Sequence, residues 1–242
     1  MSLYFSSLCV LTFSPLLLLL NDLLAQSSFY PPTGVDYFAY DDVFKCLFWA
    51  PFSLGVLATL ESIANPNPTH LQRIAFTVLS GMYVYGFGVN HSHNAVGNYY
   101  ERSGGVTPPA VHYFDEYIGH YIIVLVYGLV QVYWSLSSKP RDGGGLGVVA
   151  LGLFGGYFSA LLVLESQSAQ VLLPIDVLLV LNPPKDRELG LYVRVNAGVH
   201  LLFYLCWYSR WGRFVEPTEL AGLGWDKMDA ATFGLRFSGP EL

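Results

Sequence analysis

The chain has 242 residues, 53% of them hydrophobic and only 12% charged, against about 25% charged in an ordinary soluble domain. That shortage excludes a typical soluble surface, and a net charge of −6 without a basic run excludes the phosphate-neutralising patch that nucleic-acid binding needs. Cys9, Cys46 and Cys206 all stand in apolar segments without paired spacing, which points to neither a disulfide framework nor a zinc knuckle.

Leu3 to Leu20 is an uncharged apolar run, interrupted at Asn21-Asp22 and closed by Gln26-Ser27-Ser28. Its length suits a membrane span of ~20 residues; the ending at Leu23-Leu24-Ala25 also leaves open a cleaved signal peptide over residues 1–25. No basic residue precedes the run, and Leu23 stands where a small residue is expected two before Ala25; both favour a retained helix. Pro31, Pro32 and Gly34 open a loop carrying Asp36, Asp41 and Asp42. Val43 to Leu60 is a second apolar segment, closed by Glu61 and the Asn65-Pro66-Asn67-Pro68 turn.

Ile74 to Val89 is a third segment and runs directly into a polar stretch, Asn90 to His120, that holds four of the six histidines. Behind the breakers Gly104-Gly105 and Pro108-Pro109, Ala110 to Trp134 reads as a fourth helix, with Pro109 suited to its first turn. Leu146 to Leu164 is a fifth. Val171 to Leu181, containing Pro174 and Asp176, is a short sixth, and Leu189 to Tyr208, carrying Arg194, Asn196 and His200, is the seventh.

Continuous apolar runs, not alternating ~10-residue strands, predict an all-α, polytopic membrane bundle of about seven transmembrane helices, or six if the first is a cleaved signal. The bundle is one domain over residues 26–208, followed by a polar tail over 209–242. Its surroundings are then the lipid of an endomembrane or the plasma membrane. The loops after the second, fourth and sixth segments carry Arg73, Lys139, Arg141, Lys185 and Arg187, so the positive-inside rule places the histidine stretch on the luminal or exterior side.

Ionisable groups beside hydrocarbon are costly and usually line a protected polar site. If the third helix continues past Val89, His91, Asn94, Asn98 and Glu101 share one face while His93 points nearly the other way. On the fourth helix His112, Glu116 and His120 follow at i, i+4, i+8, with Asp115 beside them. Asn196, His200 and Tyr204 repeat that spacing on the seventh. Antiparallel neighbours would bring these groups and Asp176 into one half of the bundle, His120 lying about 12 Å below His112 at ~1.5 Å per residue.

Imidazole and carboxylate on facing helices suit a divalent metal, zinc ahead of iron. The expected ligands are His91 or His93 with His120 and His200; Asp115 or Glu116 serves as ligand, orienter or general base. His112, Asn94, Asn98, Asp176, Asn196 and Tyr204 are the expected supporting groups. The functional expectation is a membrane metalloenzyme acting on a lipid or other apolar small molecule, with hydrolysis of an amide or ester as the leading reaction. An iron oxygenase, a metal-free cyclase or isomerase using Asp176, Asp115 or Glu116 as acid, and a non-enzymatic haem-binding, metal-binding or transport protein remain open alternatives.

A helix ending in histidine, a helix opening with Phe114-Asp115-Glu116 and a last helix with His200 resemble the seven-helix CREST membrane hydrolases, which include the alkaline ceramidases. The resemblance implies zinc-dependent amide or lipid hydrolysis, with His91 or His93 and His200 as ligands and Asp115 orienting or activating water. Phe87 and Val89 stand where that family carries a serine, and its second histidine of the last helix is Tyr204 here.

Overall fold

A computed structural model describes residues 4–13 and 50–215. Among them the chain is helical throughout, apart from one isolated bridge between Arg141 and Asp186. We label the helices α1 (Tyr4–Phe13), α2 (Ala50–Ala64), α3 (His70–Arg102), α4 (Pro109–Ser137), α5 (Leu146–Glu165), α6 (Ala169–Leu181) and α7 (Arg187–Trp211). α4, α5 and α7 are long and apolar enough to cross a membrane. The expected segments from the fourth to the seventh correspond to α4–α7 with ends shifted by a few residues, while residues 14–49, including the end of the first run and the start of the second, lie outside the described residues.

Local chemistry sets the helix ends. Thr69 and Gln72 form a reciprocal capping box at the start of α3, Thr69 N donating to Gln72 Oε1 at 2.8 Å and Gln72 N to Thr69 Oγ1 at 3.3 Å. Pro109 occupies the first turn of α4, and Asp186 caps α7 by accepting from Leu189 N at 3.0 Å. α7 stops at Gly212, whose φ of 70° supplies the left-handed residue that closes a helix.

The loops carrying Lys139, Arg141 and Lys185 gather at one end. Lys139 N donates to Ala64 O and Lys185 N to Ser138 Oγ. There the Arg141 guanidinium donates to Asp186 at 2.8 Å and Glu188 at 3.2 Å while lying over the Tyr4 ring. Tyr4 in turn donates to the other Asp186 oxygen at 3.0 Å. At the same end Glu61 is buried and takes three donors, Tyr133 Oη at 2.7 Å, Trp134 Nε1 at 2.9 Å and Asn65 Nδ2 at 3.2 Å, pinning α2 to α4. The sequence reading treated Glu61 only as the close of an apolar run; α2 continues one turn beyond it.

Two helix pairs come unusually close. A Cβ built on Gly119 of α4 would stand 2.7 Å from Asn90 Cβ on α3, and one built on Gly156 of α5 would stand 2.7 Å from Val199 Cβ on α7. Small residues allow such approach. In each case the approach brings polar groups of the two helices together.

Candidate functional site

Two polar centres emerge. The first lies where α3 meets the start of α4. α3 does continue through the histidine stretch, and His91 and His93 diverge as helical geometry expects. His91 packs its ring on Phe87; His93 directs Nδ1 to its own Val89 O at 2.7 Å and stacks on Phe114. Asn90 Nδ2 bridges Asp115 Oδ1 at 2.7 Å and His120 Nε2 at 3.1 Å, and Asn94 Nδ2 donates to Asp115 Oδ2 at 3.2 Å. Asn98 steadies Asn94 from one turn on, at 3.0 Å.

The opening of α4 differs from the expected regular helix. Tyr113–Gly119 forms a π-helical turn, a wider coil that is frequent at functional sites. Its period pairs residues i and i+5, so Asp115 and His120 meet the same Asn90 amide. The side chains of His112 and Glu116 lie outside the described residues.

The second centre joins α5, α6 and α7, and the sequence reading held only two of its three members. His200 Nδ1 lies 3.1 and 3.2 Å from the two Asp176 oxygens, and His200 Nε2 lies 2.6 Å from Ser159 Oγ. His200 and Asp176 are 0% and 2% exposed, whereas Ser159 is half-buried and reaches the protein surface. With Asp176 as carboxylate, it can only accept, so the imidazole proton sits on Nδ1 and the Nε2 lone pair faces the serine hydroxyl. Ser159 Oγ also donates to Gly155 O at 2.5 Å, one turn back, so its single proton serves either that carbonyl or Nε2. Asp176 therefore serves His200.

Of the expected ligand set, His91 packs on Phe87, His93 bonds the Val89 carbonyl one turn back, His120 meets Asn90, and His200 commits both ring nitrogens to Asp176 and Ser159. Among the described residues no group of three or more His, Cys, Asp or Glu side chains is placed to hold a metal ion. A ligand role for His200 would first require its release from Ser159 or Asp176.

Asn196 and Tyr204 stand one turn to either side of His200 on α7, both buried. Tyr204 stacks its ring on the imidazole, and Asn196 Nδ2 lies 3.2 Å from where a Gly155 Cβ would be. Ser159 carries no charge and sits in an apolar helix, so a search for charged groups passes over it. The available signal is the run Gly152, Gly155, Gly156, Ser159, small residues at helical spacing that mark the face α5 turns to a close neighbour.

No protein-family model, curated protein or solved structure matches this chain.

Proposed function

We propose that the protein is a multi-pass membrane hydrolase that cleaves the acyl bond of a lipid or other apolar substrate, with Ser159 as nucleophile, His200 as general base and then general acid, and Asp176 holding the imidazole. The observation that carries this reading is the continuous contact Ser159 Oγ to His200 Nε2 to Asp176, at 2.6 and 3.1 Å. Nucleophile, base and orienting carboxylate within hydrogen-bond reach are the features that define such a relay on any fold.

In the first half-reaction Ser159 Oγ attacks the carbonyl carbon while its proton passes to His200 Nε2 and the carbonyl electron pair moves onto oxygen. Collapse of that tetrahedral species breaks the bond to the leaving group, which takes the proton from Nε2. Water then attacks the acyl-serine, gives its proton to Nε2, and the bond to Oγ breaks as the proton returns to the serine. The products are a carboxylic acid and an amine or alcohol. Asp176 steadies the imidazolium at both stages. Ser159 stands six residues before the end of α5, about 9 Å at ~1.5 Å per residue.

The test is covalent labelling. A tagged fluorophosphonate added to membranes containing the full chain should modify Ser159 and no longer react with Ser159→Ala. Wild type that resists the probe at concentrations saturating known serine hydrolases would overturn the assignment.

A second reading places a divalent metal, zinc ahead of iron, beside the α3–α4 centre. One observation favours it: the π-helical turn directs Asp115 and His120 to a common point.

A further inference from the structure

Two buried polar atoms next to the relay have no hydrogen-bond partner among the described residues: Asn196 Oδ1 and Tyr204 Oη. Their residues are 2% and 1% exposed. Buried polar groups are nearly always paired, because a lost bond to water is not otherwise recovered. Two exceptions on one helix face, at four residues before and four after His200, need an explanation in common.

Their chemistry is complementary. An amide oxygen only accepts, and a phenol hydroxyl can donate. A ligand that satisfies both at once offers an N–H to Asn196 and a C=O to Tyr204. A trans secondary amide presents these two groups from one plane. The Asn196 amide is also turned so that Nδ2 faces Gly155, near where Tyr192 Oη approaches, leaving Oδ1 as the open atom.

We infer that Asn196 and Tyr204 form a binding subsite for the linkage of an apolar secondary amide, Asn196 accepting its N–H and Tyr204 donating to its carbonyl oxygen. This rests on Ser159 as the nucleophile. An N-acyl amide is then the substrate class, and an ester, lacking the N–H, leaves Asn196 unsatisfied. Sites built to bond a substrate N–H discriminate strongly against analogues without it. Tyr204 meets the oxygen on which charge develops, so its bond strengthens as the tetrahedral species forms.

The experiment uses the full chain in lipid nanodiscs with two probes, the decanoyl amide of 7-amino-4-methylcoumarin and the decanoyl ester of 7-hydroxy-4-methylcoumarin. Asn196→Leu should lower kcat/KM on the amide by about 10-fold or more while changing the ester far less. Tyr204→Phe should lower both by about 10- to 100-fold. Neither variant should lower the unfolding temperature, since each removes an unsatisfied group. Asn196→Ala serves if the leucine variant does not fold. Equal loss on amide and ester in the Asn196 variants, or unchanged kcat/KM in Tyr204→Phe, would overturn the subsite while leaving the nucleophile intact. Turnover undiminished in Ser159→Ala would remove the nucleophile assignment and the subsite with it.

Discussion

Ser159 Oγ and His200 Nε2 meet at 2.6 Å because α5 and α7 run side by side with glycine at the crossing. The contact depends on helix spacing as much as on either residue. Replacing Gly156 with valine should force the helices apart, since even a Cβ would stand 2.7 Å from Val199 Cβ. The expected result is a folded protein whose fluorophosphonate labelling falls by about 10²-fold, the scale on which an ångström of misplacement acts. Labelling at the wild-type rate would separate helix spacing from reactivity.

Asp176 is tied to His200 through Nδ1. Asp176→Asn preserves shape but allows its amide to donate, reversing the imidazole tautomer. The expected loss in labelling rate is about 10²- to 10⁴-fold. An asparagine variant that labels as quickly as wild type would show that the carboxylate plays no part in activating Ser159.

Metal removal separates the two readings of function. With Ser159 as nucleophile, prolonged dialysis against a chelator should leave labelling and turnover unchanged. Loss of turnover on chelation, restored by zinc and abolished by Asp115→Asn, would move the chemistry to the α3–α4 centre. Elemental analysis of protein purified without a polyhistidine tag, before and after dialysis, provides the stoichiometry.

Glu61, at the opposite end, takes donors from Tyr133, Trp134 and Asn65. Glu61→Ala leaves the Tyr133 hydroxyl and Trp134 indole without their acceptor. Its expected cost is about 2–5 kcal/mol, against about 1 kcal/mol for Tyr133→Phe. Thermal unfolding in detergent measures both, and a Glu61→Ala variant as stable as wild type would contradict the pinning role.

The N-terminal helix is held by the Tyr4 hydroxyl on Asp186 and by packing of Leu8 in the core. Removing residues 1–13 should therefore lower the unfolding temperature clearly, with Tyr4→Phe accounting for about 1 kcal/mol of the loss. Intact-mass measurement of the mature chain tests the companion expectation that this segment is retained. A mass beginning after Ala25 would show cleavage.

Helices were legible in the sequence wherever long apolar runs met capping chemistry. Leu146 and Leu181 mark element ends in both the reading and the structure, and Pro109 opens α4 as expected. The bridging role of Asn90 and the Asp115–His120 pairing were not legible. Both depend on the π-helical turn, and a regular period of 3.6 residues assigns Asp115 to a neighbouring face. Ser159 was passed over for a different reason. A hydroxyl in an apolar helix signals nothing until a partner helix brings it a base, and the pairing of α5 with α7 is a property of tertiary packing. The distinction between the two histidine neighbours His91 and His93 was readable, since it needs only the geometry of one helix.

The wide turn at Tyr113–Gly119 is in effect a single surplus residue stored in α4. Deleting one residue from it would restore an ordinary coil and leave everything after His120 in register. Whatever precedes the deletion would then swing around the axis by about 100°, the rotation per residue of an α-helix. When the deleted residue follows Asp115, the carboxylate of Asp115 would turn away from Asn90, so a change of three nucleotides is enough to dismantle the centre.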